Sequence, residues 1–299
     1  MTVKNTTIGI VGCGIIGGSW ARAFLTSGYD VVIHDPATDT EMLRQRLQGH
    51  LKTPAQLTIA SELGELSRCG YVQESTPEDK AFKRAIFEKL DTILPADTVV
   101  ASSTSALCMS DLVSDLAGRD RFIVVHPASP PHALPAVEIV PAPFTSLETI
   151  EFSEALLRAI GQTPVRLKRE VPGFVLNRLQ GALLLAMIDV VREDIVSPEG
   201  VDALLRDSFG MRWALVGPFE GVHLNAPGGI SDYFTRYSAM FDAFCPDGVA
   251  FADVLSAETL EELESYALAS CPLEKAEARR TWRDDALLAL REWRAGVQS

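Results

Sequence analysis

Residues 7–17 read TIGIVGCGIIG, a short apolar run that breaks into glycines spaced GxGxxG and then turns apolar again. The run predicts a buried strand and the part beyond the glycines a helix. Between them Gly12 permits a tight turn, Gly14 lets the backbone approach a pyrophosphate, and Gly17 lets helix and strand touch. A helix starting there offers free N–H groups and the positive end of its dipole to phosphates. The next apolar run, DVVIHD at 30–35, ends in Asp35. A carboxylate at that spacing accepts hydrogen bonds from ribose hydroxyls and repels a 2′-phosphate, so the expected cofactor is NAD rather than NADP.

The pattern continues outward. YVQE at 71–74, TVVASS at 98–103 and RFIVVH at 121–126 are short runs, apolar on both faces, as in parallel strands covered on both sides. VEIVP at 137–141 and PVRLK at 164–168 extend the sheet, and 18–28, 38–50, 78–92 and 147–160 read as helices. This alternation predicts an α/β fold, a Rossmann doubly wound parallel sheet. At Val171–Pro172–Gly173 the strand-like runs stop and helical periodicity takes over. The expected division is an NAD-binding domain over 1–171 and an all-α C-terminal domain over 172–299. Pro172 suits the first turn of a long apolar helix over 173–192.

Composition narrows the function. A formal net charge of -13 argues against nucleic acid or an anionic membrane as partner. The five cysteines, Cys13, Cys69, Cys108, Cys245 and Cys271, include no CxxC pair, which implies no metal site and suits a reducing cytoplasm. The N-terminus enters a strand without a cleavable signal pattern, and the GALLLAMIDVV run is too short to cross a bilayer.

In a parallel sheet, ligands bind beyond the carboxyl ends of the strands. One such end carries His126, and Glu138 follows in the apolar frame AVEIV. A carboxylate in that frame needs a partner. Oxidation of an alcohol needs a base, and a carboxylate behind a histidine fixes its tautomer and stabilises the imidazolium. His126 as base and Glu138 as its orienter form the catalytic hypothesis. His34 and His50 read as packing and surface residues, while His132, in a Pro-rich loop, is a minor candidate for lining the cleft.

With these residues in place, the chain resembles the 3-hydroxyacyl-CoA dehydrogenase superfamily, most of all its lambda-crystallin and L-gulonate 3-dehydrogenase branch. The resemblance is carried by VGCGIIGGSWA, QESTPEDKAFKRAIFEKLD, ASSTS, HPASPPHALPAVEIVP, VPGFVLNRLQ and GMRWALVGPFEGVHLNAPGG. It implies that His126 and Glu138 are the catalytic dyad and that Ser105 bonds the substrate oxygen. Asn177 would bond the same oxygen or position the nicotinamide. The backbone at Ile15 and Ile16 would face the pyrophosphate and Asp35 the ribose, with Glu78 and Lys83 near the nicotinamide half. Without the resemblance, Glu78 to Lys83 read as the solvated first turns of a helix. It also implies a homodimer formed through the helical domain.

Two departures bear on the substrate. Where the family commonly has Asn three residues after the catalytic histidine, this chain has Ser129, a shorter group with one donor. The stretch between Asp35 and Glu74 is too short for the protruding helical pair that helps hold CoA in the acyl-CoA enzymes, and no basic cluster awaits the CoA phosphates. The expected substrate is therefore a small, gulonate-like hydroxy acid, its carboxylate held by an arginine, with Arg212 preferred over Arg178 and Arg236. The HLNAPGG segment, with His223 and Asn225, either lines the same cleft or sits at the subunit contact. An L-3-hydroxyacyl-CoA substrate, a carnitine-type substrate caged by Trp213 or Tyr233, and a crystallin-like structural or NAD-sensing role stay open as alternatives.

Overall fold

Alternation along single strands explains the architecture. In β1 (Ile8–Val11), Ile8 and Ile10 face one hydrophobic core and Val11 the other; in β2 (Val31–His34), Val31 and Ile33 join the first core and Val32 the second. Strands buried on both faces need cover on both faces. Helix α1 (Ile15–Thr26) supplies Trp20, Phe24 and Leu25 to one side, and α3 (Lys80–Ile93) supplies Phe87 and Leu90 to the other. The computed structural model describes residues 6–50, 55–214 and 275–298, with residues 3, 217–219, 225, 233, 236–237 and 257–258 besides.

The remaining strands are β3 (Leu57–Ile59), β4 (Tyr71–Glu74), β5 (Val99–Ser102), β6 (Phe122–Pro127), β7 (Ala136–Val140) and β8 (Thr163–Arg166). Helices α2 (Thr40–Gln48), α4 (Met109–Val113) and α5 (Leu147–Ala159) connect them. The eight strands lie in the order β3-β2-β1-β4-β5-β6-β7-β8. The chain winds from β1 to β3 in one direction and from β4 onward in the other. The gap between the carboxyl ends of β1 and β4 is thus the switch point where such sheets bind ligands. Local signals start the helices: Asp39, Asp79 and Ser146 each accept a hydrogen bond from the backbone N–H three residues on.

The structure alters three sequence expectations. The sheet is not wholly parallel, because β7 runs antiparallel to β6. Residues 128–135, which join them, are too few for a helical crossover. The three-residue strand β3, half-buried at the sheet edge, carries too little alternation to be read from sequence. Pro172 does not open a helix. Gly173 and Phe174 both take positive φ, 73° and 50°, so the chain turns first and α6 runs from Leu176 to Arg192.

The chain divides into two compact units, Met1–Arg178 and Leu179–Ser299. Described elements of the second unit are the rest of α6, α7 (Pro198–Leu204), a π-helical turn over Leu205–Gly210, α8 (Met211–Trp213) and α9 (Ala276–Gln298). Within it Phe209 stacks on Trp213 at 5.1 Å, and Leu179, Leu204 and Met211 are exposed. No helix among the described residues is long and apolar enough to cross a membrane.

Candidate active site

The Gly-rich turn closes between β1 and α1. Gly12 has φ 80°, and a Cβ on Gly17 would collide with the Gly12 carbonyl oxygen, so strand and helix meet in van der Waals contact. At Gly14, by contrast, an added Cβ meets nothing within 4 Å, and no side chain caps the helix there. The first amides of α1, those of Ile15, Ile16 and Gly17, precede its intrahelical ladder, and Ile15 is exposed. That open, uncapped cradle fits a pyrophosphate. Asp35 follows the end of β2 with its Oδ2 accepting the Cys13 N–H (2.7 Å) and the Thr38 hydroxyl (3.0 Å), and its Oδ1 the Ala37 N–H (3.0 Å). Burial pushes its pKa up, but the amides of Cys13 and Ala37 and the Thr38 hydroxyl prevail and hold it below the usual range. An ionised Asp35 fits ribose hydroxyls and opposes a 2′-phosphate. Arg46 donates to the Cys13 carbonyl at 2.7 Å, so the Cys13 residue is gripped at both its N–H and its C=O. Burial raises the Cys13 thiol to about 11.

Beyond β4 lies a second cluster. Lys83 is buried, not solvated as the helix pattern suggests: its Nζ donates to Glu74 Oε1 (2.9 Å), Glu74 Oε2 (3.1 Å) and the Thr76 carbonyl (3.1 Å). Glu74, also fully buried, accepts further hydrogen bonds from Ser102 (2.6 Å) and the Thr76 N–H (2.6 Å). Glu78 stands 3.5 Å from Lys83, its side chain 41% exposed, and accepts from the amides of Ser105 (2.9 Å) and Ala106 (3.1 Å) and the hydroxyl of Thr104 (2.5 Å). The Asn177 amide then donates to the Ser105 carbonyl at 2.7 Å. One continuous polar chain therefore runs from Glu74 through Lys83 and Glu78 to Ser105 and Asn177. Sequence reasoning assigned no role to Glu74, although a carboxylate ending the apolar run YVQE, nine residues before a lysine, is the signal that would have found it.

The third cluster is built by strand register. His126 and Glu138 face each other across the antiparallel β6–β7 ladder, with Nδ1 and Oε2 2.7 Å apart. Both are buried. Glu138 Oε1 accepts the N–H groups of Val175 (2.8 Å) and Leu176 (2.9 Å), and the ring of Phe174 lies 5.4 Å from that of His126. Burial would raise the Glu138 pKa, but the bond from His126 and the amides of Leu176 and Val175 outweigh it and hold the pKa below its ordinary value. An ionised carboxylate only accepts, so Nδ1 carries a hydrogen, and in the neutral imidazole the lone pair is left on Nε2. That is the tautomer a general base requires.

The other candidates are placed as follows. Ser129 is exposed in the loop after β6. His132 is tied to α1: Arg22 donates to its Nε2 at 3.1 Å and its Nδ1 lies 2.6 Å from the Ser19 hydroxyl. His34 Nδ1 is 3.4 Å from the Ala60 carbonyl. His50, half-buried beyond α2, has its pKa lowered by burial and by the nearby Arg22 cation. Arg212 belongs to the second unit, its guanidinium 5.9 Å from the Phe209 ring centroid. His223 lies outside the described residues.

Comparison with known proteins identifies the family. The sequence model of the 3-hydroxyacyl-CoA dehydrogenase NAD binding domain matches residues 7–171, and that of the C-terminal domain of the same enzymes matches residues 173–261. The chain is 39% identical to the lambda-crystallin homolog of Mus musculus over 94% of each chain. It is 32% identical to L-carnitine dehydrogenase of Bacillus cereus over 97% of this chain and 92% of that one. A solved 5-formyl-3-hydroxy-2-methylpyridine 4-carboxylic acid 5-dehydrogenase, an NAD+ dependent dismutase, superposes with a TM-score of 0.83 at 25% identity, covering 98% of this chain and 99% of that one.

Proposed function

The chain belongs to the 3-hydroxyacyl-CoA dehydrogenase family, and from that premise we propose that it oxidises the 3-hydroxyl of a small, gulonate-like hydroxy acid to the 3-oxo acid, with His126 as general base and Glu138 as its orienter. It is an NAD-dependent oxidoreductase acting on CH–OH groups. Bound NAD supplies the acceptor for the carbinol hydride. Gly12, Gly14, Ile15, Ile16 and Gly17 would hold its pyrophosphate through the backbone, Asp35 its ribose, and Glu78, braced by Lys83, its nicotinamide half. His126 Nε2 takes the hydroxyl proton as the alcohol becomes a carbonyl. Glu138 stabilises the imidazolium that forms and returns no proton of its own. Ser105 and Asn177, linked by the 2.7 Å bond, position the reacting oxygen.

The observation that carries this reading is the 2.7 Å His126–Glu138 pair, with its tautomer fixed by an ionised carboxylate. Replacing His126 with Gln lowers kcat by about 10²–10⁴-fold, the usual share of a general base, and leaves NAD affinity, measured by fluorescence titration, unchanged. Full turnover in this variant removes His126 from the mechanism.

The small-acid reading is favoured by the segment between β2 and β4, where the described residues hold α2, a short 3-10 helix over Leu63–Arg68 and no long helical pair. Ser129 and Arg212 are assigned to the substrate oxygen and carboxylate. The exposed Leu179, Leu204 and Met211 of the second unit fit a homodimer contact. A carnitine-type substrate is the second reading, favoured by the L-carnitine dehydrogenase relative and by Tyr233 and Tyr237, whose rings lie 4.7 Å apart. Aromatic faces bind a trimethylammonium group. A panel of gulonate, shorter 3-hydroxy acids, carnitine and 3-hydroxyacyl-CoA esters, followed by NADH absorbance, separates these readings. Turnover of the CoA ester alone overturns the small-acid assignment.

A further inference from the structure

Glu138 divides its oxygens between two kinds of partner. Oε2 faces the imidazole, and Oε1 takes two backbone amides, Val175 at 2.8 Å and Leu176 at 2.9 Å. Those amides open α6, and they reach the carboxylate by a costly backbone route. Gly173 has φ 73° and Phe174 φ 50°. Glycine enters the left-handed region freely, but a residue with a Cβ does not. Phe174 is held there by its packing: it is fully buried in the core with Val140 and Leu167, and its ring meets the His126 ring at 5.4 Å. Neither Val175 nor Phe174 has a side chain able to cap the helix, so a side chain from β7 satisfies its first amides instead.

We propose that the Gly173–Phe174 left-handed turn is a positioning element for proton transfer, setting the Val175 and Leu176 N–H groups against Glu138 so that the dyad holds no extra proton and His126 keeps its basic Nε2 free. The proposal rests on the reading of His126 as base. Two amide donors aimed at Oε1 place positive potential beside the dyad and oppose protonation of either member. Remove them and the pair binds a proton more tightly, whichever residue carries it. Other charged groups on the neighbouring elements are Arg166 of β8, which pairs with Glu154 at 2.6 Å, Glu170 before the turn, which accepts the Ser110 N–H at 3.0 Å, and Arg178 in the first turn of α6. The turn is thus a device distinct from the dyad itself.

The test is a matched pair of substitutions at one position. A Cβ added at Gly173 meets Arg178 Cγ and Asn177 Cβ at 3.9 Å, ordinary contact, so Gly173→Ala challenges only the backbone angle. Asparagine tolerates the left-handed region far better than alanine. Gly173→Ala is expected to raise the acidic limb of the kcat/KM pH profile by about one pH unit and to lower kcat about tenfold, with KM for NAD unchanged. Gly173→Asn keeps the wild-type profile. An unshifted limb in Gly173→Ala, or equal shifts in both variants, overturns the proposal. If Gly173→Ala does not fold, hydrogen exchange decides: Glu138→Ala should expose the Val175 and Leu176 amides, and wild-type protection in that variant overturns the proposal. His126→Gln run alongside keeps the two ideas apart. Its full activity sinks the base assignment, whereas its loss together with an unshifted Gly173→Ala profile sinks the turn alone.

Discussion

Two carboxylates are buried within the same sheet, at Glu74 and Glu138, and the protein solves the same electrostatic problem twice. At Glu74 the partner is the Lys83 ammonium, a full cation, backed by Ser102 and Thr76. At Glu138 the partners are an imidazole and two amides. Both satisfy the rule that a buried charge must be paired or hydrogen-bonded. They differ in what they leave available. The Glu74–Lys83 pair is internally neutral and its ammonium is surrounded, which makes it a brace. The Glu138–His126 pair has no side-chain cation held against the carboxylate as Lys83 is against Glu74, and its imidazole is the group that the dyad reading has take a proton. A fully compensated buried charge builds structure, and an incompletely compensated one does chemistry.

The contrast breaks if the two carboxylates respond alike to substitution. The largest effect is expected at Glu138→Gln. The Val175 and Leu176 amides demand an acceptor, so the glutamine oxygen must face them and its NH₂ must face His126 Nδ1. The imidazole hydrogen then moves to Nε2 and the base is lost. Turnover should fall about 10⁴-fold, as when a triad carboxylate becomes an amide and traps the wrong tautomer. A loss smaller than tenfold would mean that the tautomer is not set by Glu138.

Next in size is Glu74→Ala, which leaves the buried Lys83 ammonium with only the Thr76 carbonyl and Glu78, 3.5 Å away. Breaking a buried pair from one side costs about 3–5 kcal/mol, to be read from urea unfolding. Turnover per folded molecule should drop far less than in Glu138→Gln. A stable Glu74→Ala protein with abolished chemistry would reverse the two roles.

The smallest effect sharpens the comparison through pH. The Glu138 carboxylate is depressed on folding, because the His126 and amide bonds outweigh burial. A depressed carboxylate stabilises the fold above its ordinary value of 4.5 and loses that contribution as pH falls through its folded value. The stability difference between wild type and Glu138→Gln should therefore be flat near neutrality and shrink below pH 4.5. A difference that grows on acidification contradicts the sign.

The sequence made the Gly-rich turn and Asp35 legible, because each depends on local spacing next to a strong apolar run, and it offered His126 and Glu138 as a dyad through their chemistry, a strand-end histidine and a carboxylate in an apolar frame, without the register that joins them. The direction of β7 was not legible, since alternation along AVEIV is the same whichever way the strand runs. Pro172 suggested a helix start, but two positive-φ residues after it postponed the helix to Leu176, and nothing in the letters Gly-Phe marks Phe174 as left-handed. The burial of Lys83 was hidden for a similar reason. Phe87 and Leu90 continue its face of the helix, so the position reads as buried while the residue type reads as solvated, and only the folded position of Glu74, nine residues earlier, explains why an ammonium sits inside. Long-range pairings across the sheet were the part that local pattern left out.

The register of β6 on β7 has a mechanical consequence. Loops around a cleft open and close on their own clocks, but His126 and Glu138 are rungs of a ladder flanked by β5 on one side and β8 on the other. No hinge motion of a surface segment can part them. The pairing of acceptor and orienter is therefore set by the sheet rather than by the loops that admit and release substrate.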